Sequence, residues 1–192
     1  MSSQPINEPI LNYEAGSKHK SDLKKEIDKQ LNEVLEIPCI VNGKEIYTNN
    51  TVTQVVPHNH RHILANVHLA GKKEIEVACE SAVKAQTDWI TLGMEKRSQI
   101  FEKCADLLAN EWRMKINAAT MLNQSKTAFQ AEVDAACELI DFWRFNAHYA
   151  RDFHDQLQPL VSPEGTLNTT EIRPLEGFIL AITPFNFTSI AA

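Results

Sequence analysis

Nowhere does the sequence hold an apolar run of about 18 residues, so it contains no helix able to cross a bilayer. It also lacks a basic excess. The net charge is −6 and the pI about 5.6, which argues against a general nucleic-acid binder with a basic patch. No CxxC is present: Cys39, Cys79, Cys104 and Cys137 lie far apart and are expected to be small buried hydrophobes in a reducing compartment. The opening "MSSQPINEPILNY" has neither the apolar core of a secretory signal nor the arginines of a mitochondrial transit peptide. Internal repeats and low-complexity tracts are missing as well.

What is present is globular composition: 192 residues, 43% hydrophobic and 23% charged, enough for one domain or one domain plus part of another. The first twenty residues are polar and predicted to extend over a surface. Ser21 is expected to open a helix with Leu23, Ile27, Leu31, Val34 and Leu35 on one side, ended by Pro38. "CIVNGKEIY" places Asn42-Gly43 between two short strands, the favoured two-residue hairpin turn. "TVTQVVPHNHRHILANVHLA" continues as two strands around a turn near Pro57–Arg61. After Gly71, helices are predicted over 72–90, with Ile75, Ala78, Cys79, Ala82, Val83 and Trp89 inward, and over 94–110, with Ile100, Phe101, Cys104, Leu107 and Leu108 inward. Two more are predicted near 112–122 and over 127–153. "TLNTTEIRP" alternates like a strand, one arm of a protruding ribbon. "FILAI" is uninterrupted apolar sequence, the mark of a parallel strand covered on both faces.

Few positions combine chemistry with an unusual setting. Asn186 stands in "ITPFNF", just past the carboxyl end of the expected parallel strand, where open α/β sheets place ligands. Its amide NH2 is a donor that ionisation does not remove, suited to an oxyanion hole; the plain alternative is a turn asparagine bonded to its own backbone. Glu138 lies in apolar "AACELIDFW", and Asp134, Glu138 and Asp141 share a helix face. A solvated acidic stripe near Arg144 is the alternative there. His58, His60 and His62 alternate in "PHNHRH", but a hairpin turn accounts for them better than a metal site. Arg173 and Gly177 are expected to set strand entry, and Trp89, Trp112 and Trp143 to pack helices.

"RPLEGFILAITPFNF" resembles the "PxG…I-x-P-[WF]-N-F" segment of the aldehyde dehydrogenase superfamily. "QAEVDAACELIDFWRFNAHYA", "NEPILNY", "IPCIVNGKEIYT" and "EKRSQIFEKCADLL" resemble its glutamate-semialdehyde (1-pyrroline-5-carboxylate dehydrogenase) branch, so that the likeness covers nearly the whole chain. The resemblance implies an α/β aldehyde dehydrogenase fold. It divides the chain into an extended segment at 1–20, a helical part with an oligomerisation ribbon at 21–176, and the start of a doubly wound NAD-binding domain at 177–192. It implies that Asn186 stabilises the oxyanion, that Thr183, with Ile182, Pro184 and Phe185, lies beside the nicotinamide and its ribose, and that Phe187 walls the aldehyde pocket. Glu138 would meet the α-ammonium group of the substrate.

The implied reaction is oxidation of L-glutamate γ-semialdehyde to L-glutamate with NAD, through a cysteine thiolate and a glutamate base. Both of those lie downstream in this family. None of the four cysteines matches the nucleophile's motif and no glycine follows Gly177. The chain is therefore expected to be an amino-terminal fragment, inactive alone. The resemblance further implies a homodimer or higher homo-oligomer, in the mitochondrial matrix of a eukaryote or the cytoplasm of a bacterium. Two alternatives stay open: another semialdehyde dehydrogenase sharing Pro-Phe-Asn-Phe, and a non-catalytic module that joins longer subunits.

Overall fold

In the computed structural model, which describes residues 4–157 and 160–190, helix α1 (Lys18–Leu31) starts at Ser17, whose Oγ accepts from Lys20 N at 3.2 Å. It begins a turn before the expected Ser21, because Ser17 lies outside the helix and satisfies an otherwise unpaired N–H. Ser21 N already bonds Ser17 O. The helix also stops earlier than Pro38. Asn32 N bonds Lys29 O, and Asn32 Nδ2 bonds Asp28 O at 2.7 Å. Val34 and Leu35 thus leave the helix face predicted for them. Leu35 opens β1 (Leu35–Ile37), a strand that the sequence did not announce.

The hairpin forms as expected, β2 (Cys39–Val41) pairing antiparallel with β3 (Lys44–Ile46). Asn42 and Gly43 take φ of 51° and 70°, the positive values a tight two-residue turn demands. β4 (Thr51–Val56) and β5 (Asn59–His68) pair antiparallel, with an irregularity around Val55, and β1 lies parallel to β5 in a sheet of order β1-β5-β4. Val56 and Leu64 of this sheet meet Leu122, with Ile27 and Leu31 of α1 packed alongside.

The helices follow as α2 (Lys72–Thr91), α3 (Gly93–Leu107), a π-helical turn (Leu108–Trp112) and α4 (Arg113–Gln124). The predicted long helix is α5 (Ala128–Ala131), a π-helical turn (Glu132–Cys137) and α6 (Glu138–Gln156), with helical dihedrals throughout the joins. The main core sits where α3 and its π turn cross this rod: Ala105, Leu108, Ala136, Leu139 and Ile140, with Ile116 and Trp143 against them. The small side chains let the helices approach closely.

Several expectations about burial fail. No residue of α2 is buried, and Ile75, Val83 and Trp89 are exposed. Ile100, Phe101 and Trp112 are exposed too, and of the four cysteines only Cys137 is buried. A helical stripe signals an apolar face, and among the described residues these faces are covered only in part: Arg97 lies over Trp89 and Lys115 over Trp112, and the side chains named stay exposed. Likewise no strand forms in 160–190. "TLNTTEIRP" and "FILAI" are irregular and exposed, Ile182 to 88%, because a strand needs a hydrogen-bonding neighbour and none pairs with them here.

Candidate functional site

The turn between α4 and α5 builds the site. Ser125 takes φ 54°, ψ 30°, a left-handed conformation that costs a non-glycine residue energy. Two residues on, Thr127 caps α5: its Oγ1 accepts from Gln130 N at 3.3 Å while Gln130 Oε1 accepts from Thr127 N at 3.0 Å. Lys126 is thereby held between a reversed backbone and a fixed cap.

Its ammonium is well partnered. Lys126 Nζ donates to Asp134 Oδ2 at 2.7 Å and to the backbone carbonyl of Asn186 at 2.9 Å, and lies 4.7 Å from the centre of the Phe187 ring. Nearby contacts continue the attachment. Gln124 Nε2 donates to the Phe185 carbonyl at 3.2 Å, Thr120 Oγ1 to Thr188 Oγ1 at 2.9 Å, and Ser189 Oγ to the Ala135 carbonyl at 3.0 Å. Residues 185–189 are thus laid along α4, its following turn and the second π turn by four hydrogen bonds and one cation–ring contact, although they form no regular element. Lys126 was not singled out from the sequence, and its only signal there is its place between the ends of two helical stripes.

The Asn186 side chain is exposed, and its amide makes no hydrogen bond among the described residues. The self-bonded turn asparagine considered from sequence is therefore not formed. The backbone is tied and the amide left available to an outside acceptor. Ile182, Thr183, Pro184 and Phe185 precede it as exposed chain, Phe185 to 96%, while Phe187 is half-buried under the lysine.

The acidic face predicted on the long helix is divided among different tasks. Asp134 pairs with Lys126. Asp141 accepts from Asn7 Nδ2 and from Glu8 N, both at 2.7 Å. Arg144 turns to Glu8 and Asp106. Glu138, between them, is half-buried and accepts no hydrogen bond among the described residues. Burial first, then the Asp134 carboxylate, push its carboxyl above the ordinary range; Lys126 opposes this and Asp141 adds to it. A carboxylate left in that condition is short of a cation.

Behind this face lies a network that spacing did not reveal. Glu132 is 0% exposed, yet its carboxylate is surrounded by donors: the Arg113 guanidinium, Tyr13 Oη at 2.6 Å, Asn117 Nδ2 at 2.7 Å and Leu11 N at 2.7 Å. Arg113 also pairs with Glu8 and donates to the Pro9 carbonyl at 2.7 Å. The segment from Asn7 to Tyr13 is therefore strapped across α4, the second π turn and α6. Burial works to raise the Glu132 pKa, but Arg113, Tyr13 and Leu11 outweigh it and hold the carboxyl below its usual range. Cys137, at the end of the same turn, has its thiol pushed up to about 12, by burial first and then by Glu132. It is a thiol at neutral pH and not an attacking group.

The described residues do not amount to a dinucleotide site. A pyrophosphate asks for a glycine-containing turn opening a helix, and here 182–185 are exposed chain with no strand before them and no glycine after Gly177. What the arrangement does offer is an amide donor on an anchored backbone and, on the neighbouring helix, a carboxylate without a hydrogen-bond donor among the described residues, one turn from the Asp134 that Lys126 holds.

Residues 46–192 match the aldehyde dehydrogenase family. The chain is 44% identical over 186 residues to the mitochondrial delta-1-pyrroline-5-carboxylate dehydrogenase of Dictyostelium discoideum, covering 97% of this chain and 33% of that protein. It is 44% identical to the protein of the same name in Homo sapiens, covering 96% of this chain and 32% of that one. Among solved structures, the delta-pyrroline-5-carboxylate dehydrogenase of Mycobacterium tuberculosis bound with NAD superposes with a TM-score of 0.92 at 43% identity, over 97% of this chain and 35% of that chain. The chain thus spans about a third of the length of the curated relatives it matches.

Proposed function

Because the chain belongs to the aldehyde dehydrogenase family, we propose that a protein carrying it at its relatives' length oxidises L-glutamate γ-semialdehyde to L-glutamate with NAD as acceptor. The observation that carries the proposal is the pair of bonds by which Lys126 joins the Asn186 carbonyl to Asp134, one helical turn before Glu138. The amide is tied by its backbone and unpartnered at its side chain, and the carboxylate lies one helical turn from Asp134, which Lys126 holds. An aldehyde that also bears an α-ammonium group asks for those two things: a donor for the oxygen that turns negative and an anion for the cation.

In this reading Asn186 donates its amide to the oxyanion. Ile182, Thr183, Pro184 and Phe185 face the cofactor, and Phe187 walls the aldehyde pocket. Glu138 receives the substrate's ammonium, which would complete the charge compensation that it lacks. The relatives of which NAD and delta-1-pyrroline-5-carboxylate are named support the choice of cofactor and substrate. The nucleophilic cysteine and the glutamate base belong to the length beyond the matched third, and Cys137 is no substitute. Residues 177–192 open the NAD-binding domain, and 166–174 form the ribbon through which copies associate. Relatives named as mitochondrial support a matrix location in a eukaryote.

Steady-state kinetics test this. With NAD the relative-length protein is expected to prefer glutamate semialdehyde to an aldehyde of similar length without the amino acid group. Glu138→Gln is expected to raise KM for the semialdehyde about tenfold or more, the effect of losing one charge-assisted contact, and to leave the plain aldehyde little changed. Equal handling of both aldehydes by the wild type would point to another semialdehyde as substrate.

A further inference from the structure

Lys126 touches neither substrate nor cofactor in the reading above, yet its ammonium is tied to three separate pieces of the site. A lysine ammonium has three donors, and burying it without partners is costly. Here the side chain is 17% exposed and meets one carboxylate, one carbonyl and one aromatic face. Each contact lies on a different piece of the site. Asp134 belongs to the helix that bears Glu138; the carbonyl belongs to Asn186 itself; the ring is that of Phe187.

The stem of Lys126 is fixed at its base, between left-handed Ser125 and the Thr127 cap. That base and the Asp134 carboxylate together limit how far the ammonium can follow the loop. Asn186 needs such a hold. Its side chain has no partner among the described residues, so only the placement of its backbone limits where the amide can reach. The other side-chain contact on a carbonyl next to it is Gln124 with Phe185, neutral and longer at 3.2 Å. A charge-assisted hydrogen bond is about twice as strong as a neutral one, and the ring contact adds to it.

We propose that Lys126 is a positioning residue for the oxyanion donor: braced by Asp134, its ammonium grips the Asn186 carbonyl and the Phe187 ring and so aims the Asn186 amide. The proposal rests on the reading of Asn186 as that donor. It assigns Lys126 no contact with substrate.

The test is a double-mutant cycle in the relative-length protein, with amide hydrogen exchange on the same samples. Lys126→Met keeps the apolar stem and removes the grip. It is expected to lower kcat about 10- to 100-fold, the scale of a misplaced catalytic group, with KM for the semialdehyde within about threefold of wild type. Lys126→Arg, which keeps charge and donors, is expected to recover most of the loss. Combining Lys126→Met with Asn186→Ala is expected to cost little beyond Asn186→Ala alone, because the lysine acts through the asparagine. Exchange at residues 185–189 is expected to quicken in Lys126→Met and not in Lys126→Arg.

Additive losses in the cycle would overturn the proposal, as would a Lys126→Met protein that turns over within about twofold of wild type. Should Lys126→Met fold poorly, the comparison of Lys126→Arg with Lys126→Gln carries the same decision. If Asn186→Ala costs nothing, the donor reading falls. Exchange at 185–189 then still decides whether Lys126 holds the loop: unchanged protection in Lys126→Met refutes the grip.

Discussion

Glu132 stands in a helix whose apolar spacing gives no hint that a carboxylate is fully buried there. Glu138 drew notice because it sits among apolar neighbours, but Glu132 does its work with Tyr13, Leu11 and, through Arg113, Glu8, all more than a hundred positions away. Such partners are invisible to a window of a dozen residues. The π turn adds to the difficulty, since it shifts the helical phase between Glu132 and Glu138. Removing one member of a buried ion pair leaves the other charge uncompensated. Glu132→Gln is therefore expected to destabilise the fold by about 3 kcal/mol or more, seen as a lower denaturant midpoint. The pH dependence follows from the same group. Its folded pKa lies below the unfolded value of about 4.3, so its contribution is complete above that pH and disappears as pH falls through the folded value. A midpoint that declines in acid for wild type, and much less for Glu132→Gln, is the expected signature.

Secondary elements with local causes were legible. The hairpin at Asn42-Gly43, the break at Gly71 and the four helical stripes all follow from turn chemistry and spacing. β1 was not, because Leu35 continues the spacing of Leu31 and only the cap at Asn32 shows where the helix stops. The reversal at Ser125–Thr127 matters most at this scale, since it orients Lys126. Thr127→Ala removes the hydroxyl that accepts from Gln130 N and is expected to cost about 1 kcal/mol, readable in thermal or chemical melts. If the turn aims the donor as proposed, the same substitution lowers turnover in the relative-length protein more than this small loss of stability accounts for.

Across the whole molecule, the family was legible from "ITPFNF" and the long helix, while the burial of several elements was not. Apolar stripes on α2 and the run "FILAI" point to covered faces, yet among the described residues no residue of α2 is buried and "FILAI" is exposed throughout. Seven large apolar side chains between Ile172 and Phe185 are exposed, far more than a scatter of single surface residues. Purified as 192 residues, the chain is expected to bind an apolar dye strongly and to self-associate with rising concentration. It is expected to show neither NADH production nor tight NAD binding. A monodisperse, dye-silent monomer would contradict the exposure described here.

The amide of Asn186 is the group on which the proposed chemistry depends, and kcat for L-glutamate γ-semialdehyde with NAD, compared between wild type and Asn186→Ala in the relative-length protein, tests its role most directly. Loss of one oxyanion donor predicts a fall of about 10²- to 10³-fold with the fold intact. Turnover unchanged by the substitution would contradict it.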